Sequence, residues 1–152
     1  MKIHVQGKLP RGLDLTRSQL KAAAEFFAVR SARRIHAVFR DVTIVVQDDA
    51  SSDEAHQAIM GVAGATDVIT QRYDAMPPEP EGVYGELYVN ADQAIRFASQ
   101  MKHPPRGWNA ASEFLLYVAH GMDHLSGADD HEPADYLRMR RRELRWLREF
   151  GA

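Results

Sequence analysis

His120-Gly121-Met122-Asp123-His124-Leu125-Ser126-Gly127-Ala128-Asp129-Asp130-His131 holds three of the chain's seven histidines. The apolar positions Phe114, Leu115, Val118 and Met122 predict a buried helix from about Ser112 to Leu125. Residues four apart share one face of a helix, so the imidazoles of His120 and His124 project together, a turn apart. Two ligands of one tetrahedral ion require that arrangement. Gly127 lets the backbone leave the helix through a left-handed turn and reverse toward the same ion. The donor-rich Asp129-Asp130-His131 follows, where a third ligand is expected.

Working outward, Pro133 suits the first turn of a last helix, where its missing N–H costs nothing. Upstream, Ile3 and Val5 alternate with polar residues as a first strand. Thr16-Arg17-Ser18-Gln19 reads as a capping box, opening a long helix with Leu20, Ala23, Ala24, Phe27, Ala28 and Val38 as its apolar positions. The β-branched run Val42 to Val46 predicts a buried strand. Ser51-Ser52-Asp53-Glu54 reads as a second capping box, starting a short helix to about Gly61. Thr66 to Thr70 and Val83 to Val89 predict two further strands, and Asn90 caps a helix carrying Ala94, Phe97 and Ala98. The order βαβαββααα implies an α+β fold, a small mixed four-stranded sheet with packed helices, in a single domain over residues 1–152.

At 152 residues and 45% apolar content, the chain can bury a core of its own. A metal site would then be functional rather than a staple. There is no cysteine, so a metal must be held by His, Asp or Glu. No stretch approaches the length of a membrane span, and the amino-terminal residues lack an apolar signal core, so a cytoplasmic protein without a membrane partner is expected. The net charge of −2 hides an asymmetry: residues 1–40 carry nine Lys/Arg against two acids, and residues 41–100 two against eleven. The last helix carries six arginines, of which Arg138, Arg141, Arg142 and Arg145 are candidates for RNA binding, with the basic first helix as a candidate neighbour. Trp108 and Tyr117 are candidates for stacking on bases, though packing is the commoner role.

The segment His120-Gly-x-x-His124-Leu-x-Gly127-x-Asp129 resembles the signature of the YbeY family of single-strand-specific endoribonucleases, or rRNA maturation factors, whose pattern is His-Gly-x-x-His-Leu-x-Gly-Tyr-Asp-His. Thr66-Asp67-Val68-Ile69-Thr70 is similar to the family's Thr-Asp-Val-Leu-Ser strand, and Gly85-Glu86-Leu87-Tyr88-Val89 to its Gly-Asp-Ile-x-Ile strand. The resemblance spans about residues 42–148. Departures are visible too. Ala128 replaces the tyrosine, Asp123 stands where an apolar residue is usual, and Met60 falls where many members carry an arginine. The third histidine of the pattern aligns with Asp130, while His131 follows one residue later. Two imidazoles favour a third nitrogen, which selects His131 as the ligand and leaves Asp130 to accept a hydrogen bond from a ligand ring; Asp130 is the alternative ligand. Asp123 is a further candidate for orienting a ligand ring.

The resemblance implies a zincin-like metal-binding helix and a metal-dependent endoribonuclease, a hydrolase acting in rRNA processing, ribosome biogenesis and ribosome quality control. Zinc would be the cofactor, with single-stranded RNA and the ribosome or its assembly factors as partners. No protein side chain is assigned as catalytic; the reactive group would be zinc-bound water, whose pKa falls to about 7. Zinc peptidases use a Glu directly after the first histidine, and Gly121 occupies that place. Two other readings fit the residues: a ribosome-associated RNA-binding factor with little catalysis, and a metal-dependent hydrolase of another ester or amide.

Overall fold

The structure, a computed structural model, describes residues 1–151. Its strands are β1 (Lys2–Gln6), β2 (Phe39–Gln47), β3 (Val68–Tyr73) and β4 (Val83–Asn90). Its helices are α1 (Arg17–Ile35), α2 (Asp49–Ala55), α3 (Ala91–Gln100), α4 (Ala110–Leu125) and α5 (Pro133–Phe150). The expected order of elements is the observed one, and the fold is α+β with a four-stranded mixed sheet. A short 3-10 turn at Arg11–Leu13 precedes α1, and a π-type turn at His56–Met60 extends α2 to Gly61. The sheet runs β1-β2-β4-β3; β2 lies parallel to β1 and β4, and β3 antiparallel to β4.

Local chemistry sets the boundaries. The Thr16–Gln19 capping box opens α1, Asn90 caps α3 through the Gln93 N–H, and Pro133 begins α5. The second box is displaced: Asp48 is the cap of α2, with Ser51 as its reciprocal partner, so the helix begins earlier than the serines suggest. His36 ends α1 in a left-handed conformation, leaving Val38 exposed beyond it rather than on its apolar face. β2 is not buried on both faces. Val42, Ile44 and Val46 point into the core, while Thr43 and Val45 are half-buried on the opposite, more open face. β4 alternates in the same sense, with Val83, Gly85, Leu87 and Val89 inward.

α4 is the central helix, touching α1, α3, α5, β3 and β4. Between Ser112 and Leu125 only His120 and His124 escape full burial. Two glycines permit its close approach to the sheet. A Cβ on Gly121 would lie 2.7 Å from Leu87 Cδ2, and one on Gly85 would lie 2.5 Å from Leu125 Cδ2 and 2.8 Å from the Gln71 carbonyl oxygen. A Glu at position 121 would therefore have to displace Leu87. α5 is fixed by Met139, Glu143, Trp146 and Leu147, which share its buried face, whereas Leu137 is exposed.

Because one neighbour of Gly85 is backbone, Gly85→Ala cannot be absorbed by a rotamer change. It should lower stability by about 1–3 kcal/mol, as overpacking does, read as a fall in the urea midpoint with an unchanged slope.

Candidate metal centre

The last turn of α4 builds the site. Gly127 (φ 95°) closes the helix with two bonds, from its own N–H to the His124 carbonyl (2.8 Å) and from the Ala128 N–H to the Asp123 carbonyl (3.2 Å). This is a Schellman turn. It carries the Ala128 carbonyl back over the helix, where it accepts the Nδ1–H of His124 at 3.0 Å. A carbonyl can only accept, so Nδ1 holds the proton and Nε2 of the neutral ring is a free lone pair.

His120 is oriented from the neighbouring helix. Its Nδ1 lies 2.9 Å from Oε2 of Glu143, whose side chain is fully buried. Burial lifts the Glu143 carboxyl above the ordinary carboxylate range. Burial alone would lower His120, but the hydrogen bond and charge of Glu143 outweigh it and hold the imidazole above its ordinary value. The two Nε2 atoms then face each other at 3.0 Å. With both Nδ1 positions donating, two lone pairs that close need a cation between them, either a proton or a metal ion.

Asp130 completes the group, its Oδ2 lying 3.4 Å from His124 Nε2 and 3.6 Å from His120 Nε2. A tetrahedral ion with bonds of roughly 2.0–2.2 Å has ligand–ligand edges of roughly 3.3–3.6 Å. The spacings of 3.0, 3.4 and 3.6 Å sit close to that range. Two imidazole nitrogens and one carboxylate oxygen, each partly open to solvent, fit zinc or a similar transition metal.

The structure brings Asp130, and not the preferred His131, to the imidazole pair. Asp129 Oδ1 accepts the His131 N–H at 3.0 Å, a local Asx bond. This loop turns Asp130 inward and leaves the His131 side chain 87% exposed beside Asp129, away from the trio. Asp123 also departs from expectation, since it orients no ligand ring. Its fully buried carboxylate receives Arg142 Nη2 at 2.8 Å and Nε at 3.2 Å, with Arg34 Nη2 at 3.6 Å. Ring orientation falls instead to Glu143, which reads in sequence as a solvated charge among arginines. Its spacing from Met139, Trp146 and Leu147 was the available signal that it faces inward.

The trio lies in a cleft of ≈ 500 Å³ whose other wall, from the α2–β3 connection and β3, includes Met60, Thr66, Asp67 and Arg72. Met60 is 59% exposed and brings no charge. None of Arg138, Arg141, Arg142 and Arg145 lines this cleft. Arg142 is committed to Asp123, Arg138 pairs with Asp135, Arg145 approaches Glu149 at 3.9 Å, and Arg141 is exposed. Trp108 donates to Glu113, and Tyr117 is buried, its phenol pushed far up by burial. Both are packing residues.

A mixed sheet backed by a helix that presents two histidines, with an acid from the loop beyond, defines an α+β protein with a candidate metal site. The sequence model of the family described as endoribonuclease YbeY matches residues 11–151, and the chain belongs to that family. An endoribonuclease YbeY of Rhodopirellula baltica is 33% identical over 142 residues, which is 91% of this chain and 66% of that protein. The chain thus spans about two thirds of that relative's length. Another, from Anaeromyxobacter sp. (strain Fw109-5), is 28% identical over 154 residues, covering 99% and 73%. The solution structure of TM1509 from Thermotoga maritima shares the fold with a TM-score of 0.63 at 22% identity, over 98% of this chain and 89% of that one.

The geometry ranks the variants by retained metal. His120→Ala and Asp130→Ala should lose it on gel filtration, as measured by elemental analysis, and His131→Ala should keep a full equivalent. Glu143→Gln should retain the ion but yield it to a competing chelator roughly 10–100-fold more readily, as expected of a partner that only orients a ligand.

Proposed function

We propose that the chain is a metal-dependent, single-strand-specific endoribonuclease acting in rRNA maturation and ribosome quality control, as one hydrolase domain, with zinc on His120, His124 and Asp130. The observation that carries this reading is the convergence of two Nε2 atoms and one carboxylate oxygen on an open cleft, with both Nδ1 atoms already satisfied. When bound, zinc supplies Lewis-acid chemistry, polarising a phosphoryl oxygen and acidifying water to a pKa of about 7.

The chain's own residues do the rest. Glu143 and the Ala128 carbonyl hold the two rings in one tautomer, and α4 fixes their separation. In the hydrolysis, water oxygen bonds to phosphorus, one P–O ester bond breaks, and the water proton ends on the leaving oxygen. That attack needs less of the protein than amide cleavage, for which Gly121 offers no carboxylate. RNA would be drawn by the exposed Arg138, Arg141 and Arg145 and by the basic first helix, since an excess of one charge concentrates the opposite one nearby. Ribosomal particles are the proposed partner and the cytoplasm the proposed compartment. Among the described residues no helix is long and apolar enough to cross a membrane.

Zinc-loaded protein incubated with one RNA sequence, once as a single strand and once annealed to its complement, tests the reading. Cleavage of the single strand alone, lost on chelation and absent in His124→Ala, is the expected result. Tight binding without cleavage would instead assign the RNA-binding factor, and turnover of a simple ester or amide without action on RNA would assign the third class.

A further inference from the structure

Every phosphodiester that enters the cleft carries a negative charge, while two of the lining residues, Asp67 and Asp130, are carboxylic acids. Among the described residues only one permanently charged cation lines the same cleft: Arg72. Its place follows from the sheet. Arg72 stands on β3 opposite Gly85 of β4, and the missing side chain at Gly85 is what lets Leu125 rest on the strands. The last turn of α4 is thereby brought over Arg72, whose Nη1 donates to the Leu125 carbonyl at 2.9 Å. Free carbonyls at a helix C-terminus form the negative end of its dipole and hold a cation well.

One N–H is used by that bond, and a guanidinium has five. Among the described residues Arg72 has no carboxylate within ion-pair distance, unlike Arg96, Arg142 and Arg30, which are paired with Asp49, Asp123 and Glu149. An anchored guanidinium without its own anion, on the wall of a cleft that faces the histidine pair, is suited to phosphate, whose oxygens match its planar fork. Leu125 follows His124 directly, so the anchor also fixes Arg72 relative to the ligand rings.

We propose that Arg72 is the phosphate-binding residue of this cleft, seating the RNA backbone against the metal trio. The assignment rests on the endoribonuclease reading and adds the residue that holds the substrate.

The test uses zinc-loaded protein and a single-stranded RNA with phosphorothioate linkages, which keep the charge and resist hydrolysis. Binding is titrated against salt for the parent chain, Arg72→Ala and Arg72→Lys, and cleavage of ordinary RNA is followed in parallel. Arg72→Ala should bind about 10–100-fold more weakly, with the salt slope reduced by about 0.7, the share of one phosphate contact. The loss in turnover should fall mainly on KM, with zinc content and Tm unchanged. Arg72→Lys should restore the slope without the full affinity, because a point charge replaces a fork. A parental slope and KM in Arg72→Ala would overturn the assignment while leaving the RNA reading intact, and so would a loss of zinc or of Tm, which would make the role structural. Absence of RNA binding by the parent chain would overturn both.

Discussion

Two imidazole nitrogens held 3.0 Å apart, each on a ring whose other nitrogen is already bonded, form the constraint around which this fold is arranged. Imidazoles in water would not keep that separation, because rotation is free and two lone pairs repel. Here each ring is locked by a different element. The carbonyl that fixes His124 exists where it does because Gly127 adopts a left-handed turn, a conformation that costs a residue with a Cβ more. The carboxylate that fixes His120 comes from α5 and is wholly buried, so it cannot trade the imidazole for water. Burial strengthens such a bond and penalises its loss in the same measure.

α5 is held in register by a second polar contact beside the first. Arg142 and Glu143 are neighbours in sequence, and they grip Asp123 and His120 on α4 with opposite charge signs. A rotation of α5 that relieved one pair would break the other. Ion pairs of this kind return little net stability against desolvation, but breaking one partner is costly. Their value here is in specifying one rotation and one height of α5, with Arg34 from α1 adding a third helix to the Asp123 carboxylate. The position that departs from the family's apolar preference thus has a mechanical explanation. Asp123 joins helices on the side of α4 away from the cleft, while His120 and His124 open into it.

The order of the nine elements was legible in the sequence because periodicity and caps agree: the Thr16 box, Asn90 and Pro133 each stand where a helix starts. The boundary at Asp48 was not, since Asp48 and Ser51 are both good caps and only the reciprocal bond decides between them. The histidine pair was legible from helical spacing alone. The third member of the cluster was not. Softness ranks ligands, but it does not say which of two adjacent side chains a loop turns inward, and the Asx bond of Asp129 decides that. Glu143 was obscured by its arginine neighbours, although the apolar residues three and four positions away place it on the buried face. Arg72 was invisible for another reason: its environment comes from the opposite strand and the end of α4, which are far from it in sequence.

The same close packing bears on the choice of chemistry. For α4 to bring its histidines to the sheet edge, Gly121 must lie against Leu87, and the space a side chain would need is already filled. A carboxylate at that position, the proton acceptor of zinc peptidases, would have to displace the buried Leu87 side chain. The proposed hydrolysis must then not depend on that acceptor. A phosphodiester meets the condition, because its charge can be met by a cation on the opposite wall and the attack needs a held water and an electrophile. The cleft offers a guanidinium on one side and the His120, His124 and Asp130 trio on the other, and the packing that leaves no carboxylate beside His120 at position 121 also brings the end of α4 to that guanidinium.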